Sequence, residues 1–267
     1  MIEERIVHLP DVDLMVVIDH GNLPTIFLHC FGGDLRTWNG LWPSLPCDRA
    51  NIRYDLRGFG RSVARNDCPF HHVDDLLALI DALRFDQCDL VGLSMGGSIA
   101  LNFALSWPDK VRSLALLSPG LTAWDWSEEW RMLWRPIVVA ARAGEMRLAR
   151  DLWLAHPLFE TTRNSSRAAE LLRDEVSAFH GAQWIQDHQA PALPDIERLH
   201  ELAVPTLLLT GSCDFADFRL IADVIKTCAP NVIRHDASGL GHLIHLEAPH
   251  WCGKLLTAFW RETEARR

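Results

Sequence analysis

Short apolar runs alternate with helical patterns along most of the chain. Runs rich in aliphatic and β-branched residues predict strands at Arg5–Leu9, Leu14–Ile18, Thr25–His29, Asn51–Asp55, Asp89–Leu93, Ser113–Leu117, Thr206–Thr210 and Val232–Asp236. From Thr25 onward these runs are mostly apolar on both faces, as in strands covered by helices on each side. Between them, apolar positions recur with helical spacing at Val73–Leu83, Met95–Trp107, Phe218–Cys228 and Pro249–Trp260. Strand–helix alternation of this kind predicts an α/β fold with a mostly parallel central sheet flanked by helices.

One stretch breaks the rhythm. From Leu121 to about Leu199 no strand pattern appears, and helical patterns run at Met146–Ala155 and Arg167–Ala178. Six of the eleven Trp fall there: Trp124, Trp126, Trp130, Trp134, Trp153 and Trp184. We expect a core of residues 1–120 and 200–267, with 121–199 inserted as a helical cap. Trp fills cores and lines ligand pockets alike, so these indoles divide between the two roles.

Composition narrows the function. The chain has 267 residues, 48% of them hydrophobic, and a net charge of −9. Three Lys stand against 23 Arg, with no basic stripe, so a nucleic-acid partner is not expected. No apolar run approaches the ~20 residues that span a membrane, and no apolar segment follows the acidic start Met-Ile-Glu-Glu-Arg, so neither a membrane nor a signal peptide is expected. Seven Cys without a C-x-x-C pair predict reduced thiols and a cytoplasmic protein. Oligomeric state is left open.

The chemistry starts at Gly92-Leu93-Ser94-Met95-Gly96, which follows a predicted strand and opens a predicted helix. In that context G-x-S-x-G predicts a tight strand-to-helix turn that projects the Ser94 hydroxyl above the carboxyl edge of the sheet. The thirteen His include the pairs His71-His72 and His180 with His188, but no metal-ligand spacing supports a metal site.

Around that turn the sequence resembles the α/β-hydrolase superfamily over nearly its whole length. The resemblance rests on His29-Cys-Phe-Gly-Gly, Asp55-Leu-Arg-Gly-Phe-Gly-Arg-Ser62, Val91-Gly-Leu-Ser-Met-Gly-Gly97, Gly211-Ser-Cys-Asp214, and Gly241-His242 with Glu247-Ala-Pro249. Within the superfamily it is most similar to 3-oxoadipate enol-lactonases and related small esterases. The resemblance implies Ser94 as nucleophile, His242 as base and Asp214 as the acid that orients it, in the chain order serine, acid, histidine. His245 is the rival base, read as a residue of a surface turn, and Asp217 is the rival acid, which also suits a helix N-cap. Phe31 and Met95 would supply the two backbone N–H groups of an oxyanion hole. Position 30 is Cys where the family usually has Gly, and Cys30 reads as a small buried thiol. Arg57 would tie loops together through Asp55 or a carbonyl.

The implied reaction is hydrolysis of a small, largely apolar ester or lactone through an acyl-Ser94 intermediate, without metal or organic cofactor. Trp130, Trp153 and Trp124 are the expected pocket residues in the cap. Carbon–carbon bond hydrolysis and a non-catalytic small-molecule receptor are the alternatives. Leu93 replaces the Asn common before the serine in the first of these. Haloalkane dehalogenase and epoxide hydrolase need Asp at the position of Ser94.

Overall fold

The computed structural model describes residues 2–266. Nine strands form one sheet: β1 (Ile2–His8), β2 (Val12–Asp19), β3 (Pro24–Leu28), β4 (Ala50–Tyr54), β5 (Val63–Ala64), β6 (Cys88–Leu93), β7 (Val111–Leu117), β8 (Thr206–Gly211) and β9 (Val232–Ala237). Their order is β1-β2-β4-β3-β6-β7-β8-β9, with the short β5 paired to β2. Pairing is antiparallel among β1, β2, β4 and β5 wherever β2 takes part. It is parallel from β4 through β3, β6, β7 and β8 to β9.

Burial explains the order. Every residue of β6, β7 and β8 is buried, and these three strands lie side by side in the sheet. A strand apolar on both faces is stable only where helices cover both. Covering helices are α1 (His72–Ala82), α2 (Met95–Ser106), α8 (Ala216–Cys228) and α10 (Pro249–Ala265), with the short α9 (Ile244–Glu247) before the last. The edge strand β1 is mostly exposed and carries Glu3, Glu4 and Arg5, charges that discourage edge-to-edge pairing.

Between β7 and β8 the described residues are helical or irregular. The segment holds α3 (Glu128–Arg142), α4 (Met146–Ala155), α5 (Glu160–Arg163), α6 (Ser166–Ala178) and α7 (Ala182–Ile185). It opens directly after β7, at the carboxyl edge where β6 also ends, and so lies over that edge.

Buried ion pairs tie the frame together. Arg57 is held by Asp75 of α1 at 2.6 and 2.8 Å, which corrects the expected pairing with Asp55 or a carbonyl. Asp55 is occupied instead by the backbone N–H groups of Leu35 and Arg61, each at 2.7 Å. At the opposite end of the strands, Asp89 accepts from Arg49, Arg112 and Ser113. Among the described residues, no helix is long and apolar enough to cross a membrane.

Candidate active site

Ser94 occupies the turn between β6 and α2 with φ +53° and ψ −114°. A non-glycine residue in that region carries about 1–3 kcal/mol of strain and persists only where its surroundings enforce it. The Ser94 N–H donates to the Leu117 carbonyl at 3.0 Å, and its own carbonyl accepts from Ser98 and Gly120 at 3.0 and 2.9 Å. Glycine is required on both sides. A Cβ on Gly92 would lie 2.3 Å from the Gly96 carbonyl oxygen, and one on Gly96 would lie 2.2 Å from that of Leu28. The start of α2 is therefore pressed against the ends of both β6 and β3. The Ser94 hydroxyl has no hydrogen-bond partner among the described residues, and Ser94 borders a cavity.

The same close approach brings the loop after β3 beside Met95. The Met95 amide lies in the first turn of α2, where a helix offers no acceptor. The Phe31 amide is likewise unbonded among the described residues. His29 fixes this loop: its Nε2 accepts from the Leu56 N–H at 3.0 Å, so Nδ1 carries the proton and donates to the Cys30 carbonyl at 2.8 Å. Burial pushes the His29 pKa down, in keeping with that neutral ring. Cys30 takes the place of Gly without strain, because the left-handed residue of the loop is Gly32, at φ +77°, and not position 30. Burial raises the Cys30 thiol pKa well above its ordinary range, which makes it a poor nucleophile.

His242 is 1% exposed, and its Nδ1 lies 3.0 and 3.1 Å from the two carboxylate oxygens of Asp214. Its Nε2 has no hydrogen-bond partner among the described residues, and His242 borders the same cavity as Ser94. The loops carrying the pair are stitched together: Cys213 N–H donates to the Leu240 carbonyl at 2.8 Å, and Gly239 N–H to the Ser212 hydroxyl at 2.9 Å. The two rivals go elsewhere. Asp217 accepts from Trp124 Nε1 and from the backbone N–H and hydroxyl of Ser127. His245 is fully buried against Trp38, which corrects its reading as a surface-turn residue, and burial pushes its pKa down to about 3.

The cavity has a volume of about 900 Å³. Phe31, Ser94, Met95 and His242 meet in its wall, along with Trp130 and Trp153. Trp124 does not line it, a correction to the expected pocket: its indole N–H is turned to Asp217 at 3.2 Å. Sequence reasoning missed Trp126, Trp134 and Trp184, which do line the cavity. Trp126, Trp130 and Trp134 form a row of near-parallel rings, with centroids 4.5 and 6.1 Å apart. Their spacing of four residues was the available signal. Arg131, Arg135 and Arg142 of α3 also line the cavity and were not singled out. The buried His72 ring has no hydrogen-bond partner among the described residues, and burial pushes its pKa down to about 3. Among the described residues, no group of three or more His, Cys, Asp or Glu is placed to hold a metal ion.

Residues 24–140 match a family model described as alpha/beta hydrolase fold. That range contains Phe31, Ser94 and Met95 but not Asp214 or His242. A Bacillus subtilis protein assigned as a 2-succinyl-6-hydroxy-2,4-cyclohexadiene-1-carboxylate synthase is 28% identical over 247 residues, covering 88% of this chain and 89% of that protein. The enol-lactonase of Burkholderia xenovorans LB400 superposes with a TM-score of 0.80 at 22% identity, covering 96% of this chain and all of the other. Naproxen esterase of Bacillus subtilis gives 0.79 at 19% identity, covering 97% and 92%. At such identities the two structures speak for the fold. Together with the strand order and the serine turn, these matches show that the chain has the α/β-hydrolase fold.

Proposed function

We propose that the protein is a serine hydrolase that cleaves a small carboxylic ester or lactone through an acyl-Ser94 intermediate. The observation that carries this reading is the state of His242. Asp214 engages Nδ1, so the ring's free lone pair is at Nε2, which is unpaired and belongs to a residue bordering the same cavity as Ser94. A neutral imidazole held in that tautomer can take the proton of an attacking hydroxyl. Ser94 would then add to the substrate carbonyl while the Phe31 and Met95 amides stabilise the developing oxyanion. Collapse expels the alcohol, which takes its proton from the His242 imidazolium. Water, activated by His242, releases the acid in a second round of the same steps.

The aromatic walls suit a substrate with a sizeable apolar part. A panel of 4-nitrophenyl esters and aliphatic lactones, run with the parent protein and with Ser94→Ala, tests the reading. Ser94-dependent release of acid from at least one of these substrates is expected. Binding without turnover by the parent protein would overturn it in favour of a receptor. Turnover confined to a vinylogous diketone would overturn it in favour of carbon–carbon bond hydrolysis.

A further inference from the structure

The cavity wall is mostly apolar, yet its charged residues are of nearly one sign. Three are arginines, Arg131, Arg135 and Arg142, against a single acid, Asp187. This contrasts with the chain as a whole, where 35 Asp and Glu outnumber 26 Lys and Arg. All three arginines belong to α3, at spacings of four and seven residues, which return to one face of a helix. Trp134 and Val138 line the cavity from the same helix. Arg131 is paired with Asp125, and Arg142 donates to the Ile185 carbonyl at 3.2 Å. Arg135 lies between them along the helix and has no ion pair or hydrogen bond among the described residues. Asp187 forms no ion pair with it among the described residues; its carboxylate accepts from the Gln189 backbone and side chain instead.

We infer that the substrate carries an anionic group, a carboxylate or a phosphate, remote from the bond that is cut, and that Arg135 receives it. The inference rests on the proposed hydrolase reading and adds the substrate class. Ser94 sits at the sheet edge, 7% exposed, whereas Arg135 lines the same cavity from an exposed turn of α3. A ligand that fills the space between them has its apolar body against the indoles and its far end at the guanidinium. Arginine offers a planar fork of donors that matches a carboxylate or phosphate in two parallel hydrogen bonds. Arg142, which meets a backbone carbonyl and no carboxylate among the described residues, adds a positive field that favours anions over the neutral analogue. Because Arg135 is exposed, the gain is moderate and sensitive to salt.

The test compares mono-4-nitrophenyl esters of a homologous series of dicarboxylic acids with alkanoate esters of the same chain length. At the chain length that spans the cavity, kcat/KM for the carboxylate-bearing ester should exceed that of its neutral partner by about fivefold to tenfold, mainly through KM. The ratio should shrink at high salt and approach one in Arg135→Gln, with part of it restored in Arg135→Lys. Neutral esters turned over with no carboxylate preference at any chain length would overturn the inference while leaving the hydrolase reading intact. A preference that survives Arg135→Gln would overturn the assignment to Arg135. If neither series is hydrolysed, the hydrolase reading fails and binding still decides. Ser94→Ala protein titrated with the dicarboxylic monoamide and the matching alkanamide, followed by indole fluorescence, should bind the carboxylate more tightly, and equal affinities would refute it.

Discussion

Asp217 accepts two hydrogen bonds from Ser127, at 2.9 Å from the backbone N–H and 2.7 Å from the hydroxyl. Ser127 is in turn the N-cap of α3, its oxygen accepting from the Trp130 N–H at 3.1 Å. Asp217 thus pins the first long helix of the inserted segment to α8, three residues beyond the carboxylate that holds His242. Position in sequence made Asp214 and Asp217 competitors, and the hydrogen bonds give them separate work.

The two roles predict opposite phenotypes. Asp214→Asn should keep its melting temperature and lose ~10³ to 10⁴-fold in kcat, because the amide misorients His242 or selects the wrong tautomer. Asp217→Ala strands partly buried N–H groups of Ser127 and Trp124 and should cost about 1–3 kcal/mol of stability, with at most about tenfold in kcat. Thermal melts and ester kinetics on both variants check the assignment. Exchanged phenotypes would make Asp217 the acid.

Ser94 predicts a trade between stability and activity. Its positive φ costs a residue with a Cβ but not glycine. Ser94→Gly should therefore be more stable than the parent by about 1 kcal/mol, whereas Ser94→Ala, which keeps the strain, should gain nothing. Both should lose turnover by ~10³-fold or more. Equal melting temperatures for the two variants would show that the turn is not strained.

Much of the fold was legible because the sheet is buried on both faces. A central strand such as β8 is buried along its whole length, so its aliphatic run between Thr206 and Thr210 stands out from sequence within one residue of its end. Edges and helix ends were less visible. β1 starts at Ile2, ahead of the expected Arg5, because its Glu3 and Glu4 face water and break the apolar signal. α10 runs to Ala265, past Trp260, on a last turn whose buried residue, Thr263, is polar and gives no apolar signal. α3 was not named at all: Pro136 interrupts it, and Pro inside an apolar-periodic stretch reads as a stop. The site divides in the same way. Ser94 is set by local backbone geometry, which the flanking glycines encode. Which indole faces the cavity depends on how each helix and loop packs against its neighbours: Trp124, in the loop before α3, gives its N–H to Asp217 instead.

Glu175, on α6, gives a pH dependence with a definite sign. Burial, helped by the Asp34 carboxylate, pushes its pKa up to about 8 from the ordinary 4.5. The carboxyl is neutral in the folded chain over that window and ionised in the unfolded one, so folding takes up a proton there. Its contribution to stability is fully present below about pH 4.5 and falls as pH rises through about 8, where the loss levels off. Glu175→Gln has no proton to lose. Its melting temperature relative to the parent should therefore rise between pH 5 and pH 8, by about 2–4 °C for each kcal/mol relieved. A difference that is the same at both pH values would place the carboxyl in water.

Trp130 and Trp153 both line the cavity, but they should fail in different ways. Trp153 is 3% exposed and is packed edge-on against Trp134 and Phe159, with centroids 5.5 and 4.8 Å away. Its indole Nε1 also sits at the Phe31 loop: a Cβ on Gly32 would lie 3.0 Å from it. Removing this ring leaves a hole between the inserted helices and that loop, so Trp153→Ala should cost about 3–5 kcal/mol and disturb every substrate alike. Trp130 is only partly buried, the middle ring of the row from Trp126 to Trp134, with Phe215 and Phe218 on its flank. Truncating it enlarges the cavity more than it empties a core. Trp130→Ala should lose less stability than Trp153→Ala and shift the preferred acyl chain toward longer or bulkier groups, as kcat/KM across an alkanoate ester series would show. Phe218 links this wall to His242, since the two ring centroids lie 4.2 Å apart. A Trp130→Ala protein that is destabilised as much as Trp153→Ala, with the chain-length profile of the parent, would make Trp130 part of the packing rather than of the substrate pocket.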